Sequence, residues 1–511
     1  MGKMKQILLI LAVFSALLSC AVEEVVFQAD FNRKDAVSKW SKNPDMTWQS
    51  DGGINNSGCL KFHSTDPNGN HLTYIPLDIN KLRGRGVVVE GWMKADQVKE
   101  SSRSYLGPKL MLSVTHDGTT SYPDQTKKYG TYNWEKFSRY WHVPATATKA
   151  YLNLGLQGTT GTVWIDEVRV FLTPALKVPA RLEKQLPRQK RTQYRGVMSG
   201  NDLSEEAIRE LKEVWNANLI RFQIGLNNGL DHTTEAGFRK IVENKLVELE
   251  KLIPLARKYG IKILIDMHVG PGTSTDVLLR NQLSWEPKDQ QLLVDIWREI
   301  AAKYGKEPVI WGYDLLNEPR DENYVYKTDG GLDWNRLAAR IAAAIREVDP
   351  ETPIIVESTD WGGPEGFRTL VPINQPNMIY SFHFYYPNTF THQGVVGKPD
   401  GVLYPGHIAG EEWNREKLKQ IMQPVIDFQN KYNVPIYVGE FGVARWAPNA
   451  EKWLEDVISI FEENGWDWTY HAYREYNGWD AEIGSDKNDR TRIGDTPRRR
   501  VLLKYMRQNE K

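Results

Sequence analysis

Val309-Ile310-Trp311-Gly312-Tyr313-Asp314-Leu315-Leu316 runs straight into Asn317-Glu318-Pro319. The first eight residues are nearly all apolar, the pattern of a strand buried on both faces. Proline cannot continue a ladder and pushes the residue before it toward extended backbone, so the strand must stop at the tripeptide. A carboxylate is thereby set at the carboxyl end of an apolar strand, where α/β folds gather their chemistry. Taken alone, Asn-Glu-Pro is also ordinary turn punctuation, and only its surroundings can decide between the two.

Outward from that strand the chain repeats the same alternation. Strands are expected at 194–197, 219–224, 261–266, 309–316, 353–356, 378–382, 435–438 and 466–470. Helical periodicity fills the gaps at 205–215, 238–259, 290–304, 333–348, 411–432 and 450–464. Asp202 and Ser204 offer a helix start, and Gly260 a helix stop. Eight such units with near-continuous apolar strands predict an α/β fold, a (β/α)8 TIM barrel, over residues 191–511. A doubly wound sheet is the competing architecture. Gly196-Val197-Met198-Ser199-Gly200 is a poor match to the glycine-rich phosphate loop that such a sheet would want.

A barrel keeps its active site at the carboxyl ends of its strands. The polar residues expected there are Arg221, Asp266, His268, Asn317, Glu318, Asp360, Trp361, His383, Tyr385, Glu440 and His471. No nucleophile elbow, His-Glu-x-x-His or phosphate cradle stands among them. Glu440, in Val438-Gly439-Glu440-Phe441-Gly442, caps the seventh strand, three units of about 40 residues after Glu318. Two carboxylates converging on one cleft are what glycosidic cleavage needs, one as acid and the other as nucleophile or base. Eighteen Trp and 23 Tyr supply flat rings that can stack on sugars.

Leu219-Ile220-Arg221-Phe222, Ile265-Asp266-Met267-His268, Asn317-Glu318-Pro319, Phe382-His383-Phe384-Tyr385 and Gly439-Glu440-Phe441-Gly442 together resemble the retaining, cellulase-like glycoside hydrolases of family 5. The resemblance covers residues 191–511 and implies Glu318 as general acid/base and Glu440 as nucleophile. It implies Arg221 and Tyr385 as the partners that keep Glu440 ionised, and Asn317 as the reader of the sugar 2-OH. His268 and His383 would bind sugar hydroxyls or orient the carboxylates. The family usually places a Trp at the end of strand 8. Here His471 stands near that place, and Trp479 and Trp361 are the other candidates for a sugar platform. The activity implied is endo-acting cleavage of a β-linked polysaccharide, a cellulose-type, mixed-linkage or xyloglucan β-glucan, with no catalytic cofactor. A β-mannanase of the same family, a transglycosylase and a catalytically weak surface glycan-binding lipoprotein are the competing readings.

Residues 20–173 read as all-β. Short alternating runs are separated by dense turn residues such as Asp51-Gly52-Gly53 and Gly158-Thr159-Thr160-Gly161, which predicts a sandwich or jelly roll. In Trp134–Trp141, period two puts Phe137 and Trp141 on one face and Tyr140 on the other. Asp30-Phe31-Asn32, Asn56-Ser57-Gly58-Cys59-Leu60 and Trp164-Ile165-Asp166-Glu167-Val168 resemble the jelly-roll carbohydrate-binding modules attached to polysaccharide-degrading enzymes. That resemblance implies a structural Ca²⁺ with Asp30 and Asp166 as oxygen ligands. Trp48, Trp92, Tyr105, Trp134 and Trp141 are the candidates for a binding face. Residues 174–190, with Pro174, Pro179 and Pro187 among charged and polar residues, read as a linker.

Lys3 and Lys5 precede an apolar run, Ile7 to Leu18, that is too short to span a bilayer as a mature helix. Leu17-Leu18-Ser19-Cys20 resembles a bacterial lipobox. Residues 1–19 are thus expected to be a signal peptide and Cys20 a lipid-modified residue. The resulting expectation is an exported, membrane-anchored lipoprotein, periplasmic or at the cell surface. Cys59 is the one other cysteine, so an acylated Cys20 excludes an intramolecular disulfide. Lys+Arg and Asp+Glu both number 65, a balance that gives no footing for a nucleic-acid partner. A monomer acting on a glycan is the expected state.

Overall fold

The computed structural model of the chain describes residues 24–509 apart from 102, 104, 124–127, 177–181, 183–191, 201–202, 226–228, 274–282, 322–330 and 396. The expected signal peptide, Cys20, Asp202 and most of the 174–190 linker lie outside the described residues. Among the described residues, no helix is long and apolar enough to cross a membrane.

The first half is built from β1 (Glu24–Ala29), β2 (Met46–Gln49), β3 (Cys59–Ser64), β4 (Asn70–Leu77), the short α1 (Ile79–Leu82), β5 (Gly86–Val98), β6 (Gly107–His116), β7 (Thr119–Ser121), β8 (Gly130–His142), β9 (Lys149–Gln157) and β10 (Gly161–Leu172). They form two antiparallel sheets, one in the order β2-β3-β10-β5-β8 with β1 along the end of β10, the other in the order β4-β9-β6-β7. Leu60, Val89, Val163 and Ile165 of the first sheet meet Leu110, Leu112, Leu152 and Leu154 of the second in one core. The expected alternation holds on β8. Phe137 is buried in that core and Trp141 packs against it, whereas Tyr140 points the other way.

The second half is a closed barrel of eight parallel strands. They are β11 (Arg195–Ser199), β12 (Leu219–Gln223), β13 (Lys262–Asp266), β14 (Ile310–Asp314), β15 (Ile354–Glu357), β16 (Met378–Phe384), β19 (Ile436–Phe441) and β20 (Asp467–Tyr473), with β20 closing on β11. Around them run α2 (Glu205–Glu213), α3 (Glu235–Tyr259), α4 (Pro287–Tyr304), α5 (Trp334–Arg346), α6 (Asn388–Thr391), α7 (Arg415–Ile421), α8 (Gln423–Tyr432), α9 (Ala450–Glu463) and α10 (Pro497–Met506). Ser204 caps α2, its hydroxyl accepting the N–H of Ala207 at 3.2 Å. Gly260 ends α3 in a left-handed conformation, φ 65°, that favours glycine.

One expected helix divides. Residues 411–432 are not continuous, because β17 (Gly406–Ile408) and β18 (Glu411–Trp413) form a hairpin first. Asn414 then caps α7, and Pro424 starts α8. A proline fits a first helical turn without loss, since the N–H it lacks would have no helical partner there. Sandwich and barrel touch where Tyr140 packs on Trp285, ring centroids 5.2 Å apart, beside Val88 and Phe171.

Candidate active site

The barrel's parallel register brings a ring of charged side chains to its carboxyl end. Arg221, the third residue of β12, is fully buried and lies among four carboxylates from four other strands. Its guanidinium donates to Glu440 at 2.7 Å, Glu357 at 2.8 Å and Asp314 at 3.0 Å, and stands 3.0 Å from Asp266. It also donates to the side-chain oxygen of Asn317 at 3.0 Å. A planar fork with five N–H groups can serve so many acceptors at once, where a lysine could not.

Burial alone would drive these carboxylates neutral. At Asp314 it wins, helped by the charge of Glu357, and the carboxyl is raised well above its ordinary range. At Glu440 burial is overcome by His383, His471 and Arg221, which hold it well below the ordinary carboxylate range. Glu357 is likewise lowered against burial, first by His383 and then by Arg221. His383 and His471 are raised in turn, against burial, by these same carboxylates. The site therefore holds its charges in alternation.

Glu318 follows β14 with a left-handed backbone, φ 47°. Its carboxylate lies 2.9 Å from Nδ1 of His383. Glu440, on β19, accepts the phenol O–H of Tyr385 at 2.9 Å on the oxygen that faces His471 Nδ1 at 3.3 Å. Burial and then the charges of Glu440 and Glu318 raise Tyr385 well above its usual value, so it remains a neutral donor. Glu318, His383 and Glu440 offer ligand-type atoms all within 4.8 Å of one another, the one such group of three among the described residues. These atoms have protein partners in Arg221, Tyr385 and one another.

The remaining expected residues fall around this centre. His268 Nδ1 contacts Asp266 at 2.8 Å. His471 sits between Tyr385, 2.6 Å away, and Trp479, on whose ring it stacks at 5.8 Å. Trp479 is 8 % exposed behind His471, whereas Trp361 is 36 % exposed with the Arg320 guanidinium 4.4 Å above its ring. His392, from a segment given no role in the sequence, packs on both Tyr385 and Trp479, and burial lowers it to about 4. Glu357 was missed altogether. Its signal was available, since it is a carboxylate directly after the apolar run 353–356.

In the sandwich, Asp166 is fully buried and Asp30 exposed. Asp166 accepts the N–H groups of Ile54 and Glu167 and the hydroxyl of Ser57 at 2.6 Å. That hydroxyl also lies 2.5 Å from the carbonyl oxygen of Ile54, so a single proton serves two oxygens. Asp30 lies close enough for its charge to act on Asp166, whose carboxyl is raised first by burial. Of the expected binding-face rings, Trp48 and Trp141 pack against the sandwich core. Tyr105 is 50 % exposed, and Trp134 lies under the Lys94 ammonium.

Comparison with known proteins agrees with the barrel's chemistry. Endoglucanase C of Acetivibrio thermocellus is 31 % identical over 258 residues, which cover 45 % of this chain and 73 % of that protein. Cellodextrinase A of Ruminococcus flavefaciens is 27 % identical over 271 residues, covering 52 % of this chain and 76 % of that protein. The family model described as cellulase (glycosyl hydrolase family 5) matches residues 186–477, more than half of the chain. The chain therefore belongs to glycosyl hydrolase family 5, and it is a glycosyl hydrolase.

Proposed function

We propose that the chain is a retaining, endo-acting β-glucanase, with Glu318 as general acid/base and Glu440 as nucleophile. The observation that carries this reading is the placing of a Glu318 and a Glu440 carboxylate oxygen within 4.8 Å of each other. Retaining enzymes hold their two carboxyl groups about 5–5.5 Å apart, whereas inverting ones leave room for a water between them. In the first step Glu440 attacks the anomeric carbon and forms a glycosyl ester. The glycosidic bond breaks as Glu318 gives its proton to the leaving oxygen. In the second step Glu318 takes a proton from water, the hydroxide joins the anomeric carbon, and Glu440 leaves as the carboxylate. Asn317 spends its oxygen on Arg221, so its amide N–H is what it offers the sugar 2-OH.

The names of the endoglucanase and cellodextrinase relatives support a β-1,4-glucan as substrate. Release of reducing ends from a panel of β-glucans and β-mannans by wild type, Glu318→Ala and Glu440→Ala tests this reading. Each variant is expected to lose activity on the order of 10²–10⁴-fold or more. A wild type that acts on mannan alone would move the substrate, and a fully active Glu440→Ala would end the mechanism. Proton NMR of the first product anomer tests retention.

Export and lipidation rest on residues 1–20 alone. Metabolic labelling with a fatty acid, lost in Cys20→Ala, is the expected outcome. A structural Ca²⁺ held by Asp166 and neighbouring loop oxygens would brace the start of β3 against β10.

A further inference from the structure

Glu357 ends β15, and nothing in the reaction just described uses it. It is fully buried yet touches three parts of the centre at once. One oxygen accepts from Arg221 at 2.8 Å and lies 3.2 Å from Nε2 of His383. The other accepts the backbone N–H of Glu318 at 2.8 Å. That last bond meets the one residue of the catalytic pair whose backbone is left-handed, a conformation an L residue keeps only when its surroundings hold it.

The next turn is shaped around the same carboxylate. Asp360, Trp361 and Gly362 are all left-handed, with φ of 62°, 59° and 64°. A Cβ on Gly362 would stand 2.9 Å from Glu357 Oε2, so glycine leaves the room the carboxylate occupies. The carbonyl of Gly362 then accepts the backbone N–H of His383 at 2.7 Å. Glu357 thus sits where strands β14, β15 and β16 must agree in position.

We propose that Glu357 is a positioning residue of the hydrolytic centre: it fixes the backbone of the proton donor Glu318 and holds His383 oriented and protonated against it, so that Glu318 and His383 hold one proton in common. This rests on the reading of Glu318 as acid/base. The groups acting on His383 are Asp314 from β14 and Glu318 just after it, Glu357 from β15, Glu440 from β19 and His471 from β20, with Arg221 from β12 bonded to Glu357 beside them. Burial would strip the imidazolium of its proton, and the charges of Glu357 and then Glu440 reverse that. When Glu318 protonates the leaving oxygen, the shared proton is consumed. Water restores it in the second step, as its hydroxide joins the anomeric carbon.

Glu357→Gln keeps the shape and still accepts from Glu318, but it removes the charge and turns an amide N–H toward Arg221 and His383. The expected result is a kcat lower by about 10–100-fold, as for other groups that orient a first-contact side chain, with KM little changed. The imidazolium loses an opposite charge, so the basic limb of the kcat–pH profile should move to lower pH by about one unit. Glu357→Asp, which restores the charge, should return that limb toward wild type while kcat stays reduced. Histidine-selective NMR, with the His383 signal assigned through His383→Gln, reads the same effect without turnover. His383 should be protonated at pH 7 in wild type and lose its proton at lower pH in Glu357→Gln. A neutral His383 in wild type would overturn the proposal, as would identical titrations or an unmoved basic limb in folded Glu357→Gln. Should wild type hydrolyse no glycan, the hydrolase reading fails by itself while the NMR comparison still decides the role of Glu357.

Discussion

Arg221 makes the barrel's carboxyl end affordable, because the carboxylates around it have no water to solvate them. Removing one member of a buried, paired set leaves charge uncompensated and costs about 3–5 kcal/mol. Arg221→Met is therefore expected to lower the thermal midpoint of the barrel by on the order of 10 °C, read by calorimetry. An unchanged midpoint would mean that the carboxylates simply take up protons instead. The same residue shows how far sequence reading reaches. Glu318, Tyr385 and Glu440 each stand at the end of an apolar strand and Arg221 inside one, and the structure brings all four together. The left-handed backbone of Glu318 had no local signal, since glutamate disfavours that region and the contact with Glu357 that holds its N–H comes from another strand. His471 was legible as a departure from the family pattern. Its hydrogen bond to Tyr385 depends on the closure of β20 against β19, which no stretch of sequence states.

At the level of elements, the barrel was easier to read than the sandwich for a physical reason. Its strands are buried on both faces, so they appear as continuous apolar runs, and β12 and β13 fall within a residue of their expected bounds. Sandwich strands bury one face. Cys59–Ser64 and Asn70–Leu77 carry lysine, histidine and asparagine side chains among their apolar ones, and as short mixed runs they were not set apart as strands. Helix α10 was missed as well, because PRRRVLLKYM hides a narrow buried edge, Leu502, Tyr505 and Met506, in a basic sequence. In the sandwich, β10 changes register against β5 between Asp166 and Arg169, with Glu167 left-handed at φ 45°. Asp166 bridges that irregularity to residues 54–57. With Ca²⁺ seated there, chelation should lower the sandwich's thermal midpoint by several degrees, and added Ca²⁺ but not Mg²⁺ should restore it. Binding to the native state alone stabilises by about 2.7 kcal/mol at a hundredfold excess over Kd. A midpoint indifferent to chelator would leave Asp166 as a loop-capping carboxylate.

Across the whole molecule, the two halves meet through a mixed surface rather than a dry one. Trp285 under Tyr140 is its apolar part, and Arg368 pairs with Asp117 at 3.4 Å across the same junction. Between them lies a cavity of about 320 Å³, bounded by His142 and Thr146 from the sandwich and by Phe367, Arg368, Leu370 and Phe428 from the barrel. His142 ends β8 with its Nδ1 buried and unbonded. Burial, reinforced by the charge of Arg336 against a backbone bond at Gly84, lowers it from 6.5 to about 4. The unfolded chain therefore binds this proton first as pH falls, so its contribution to stability is intact above about 6.5 and is lost as pH drops toward about 4. Below that both states are protonated and nothing further is lost to this group. His142→Phe removes the titration but keeps a ring at the junction. Its thermal midpoint should fall less than that of wild type between these two pH values and run parallel to wild type above and below them. His392 titrates in the same window inside the barrel and is common to both proteins, so it cancels from the comparison. Parallel curves throughout would show that His142 is wetted in solution, and that the sandwich and barrel part there more easily than their packed rings suggest.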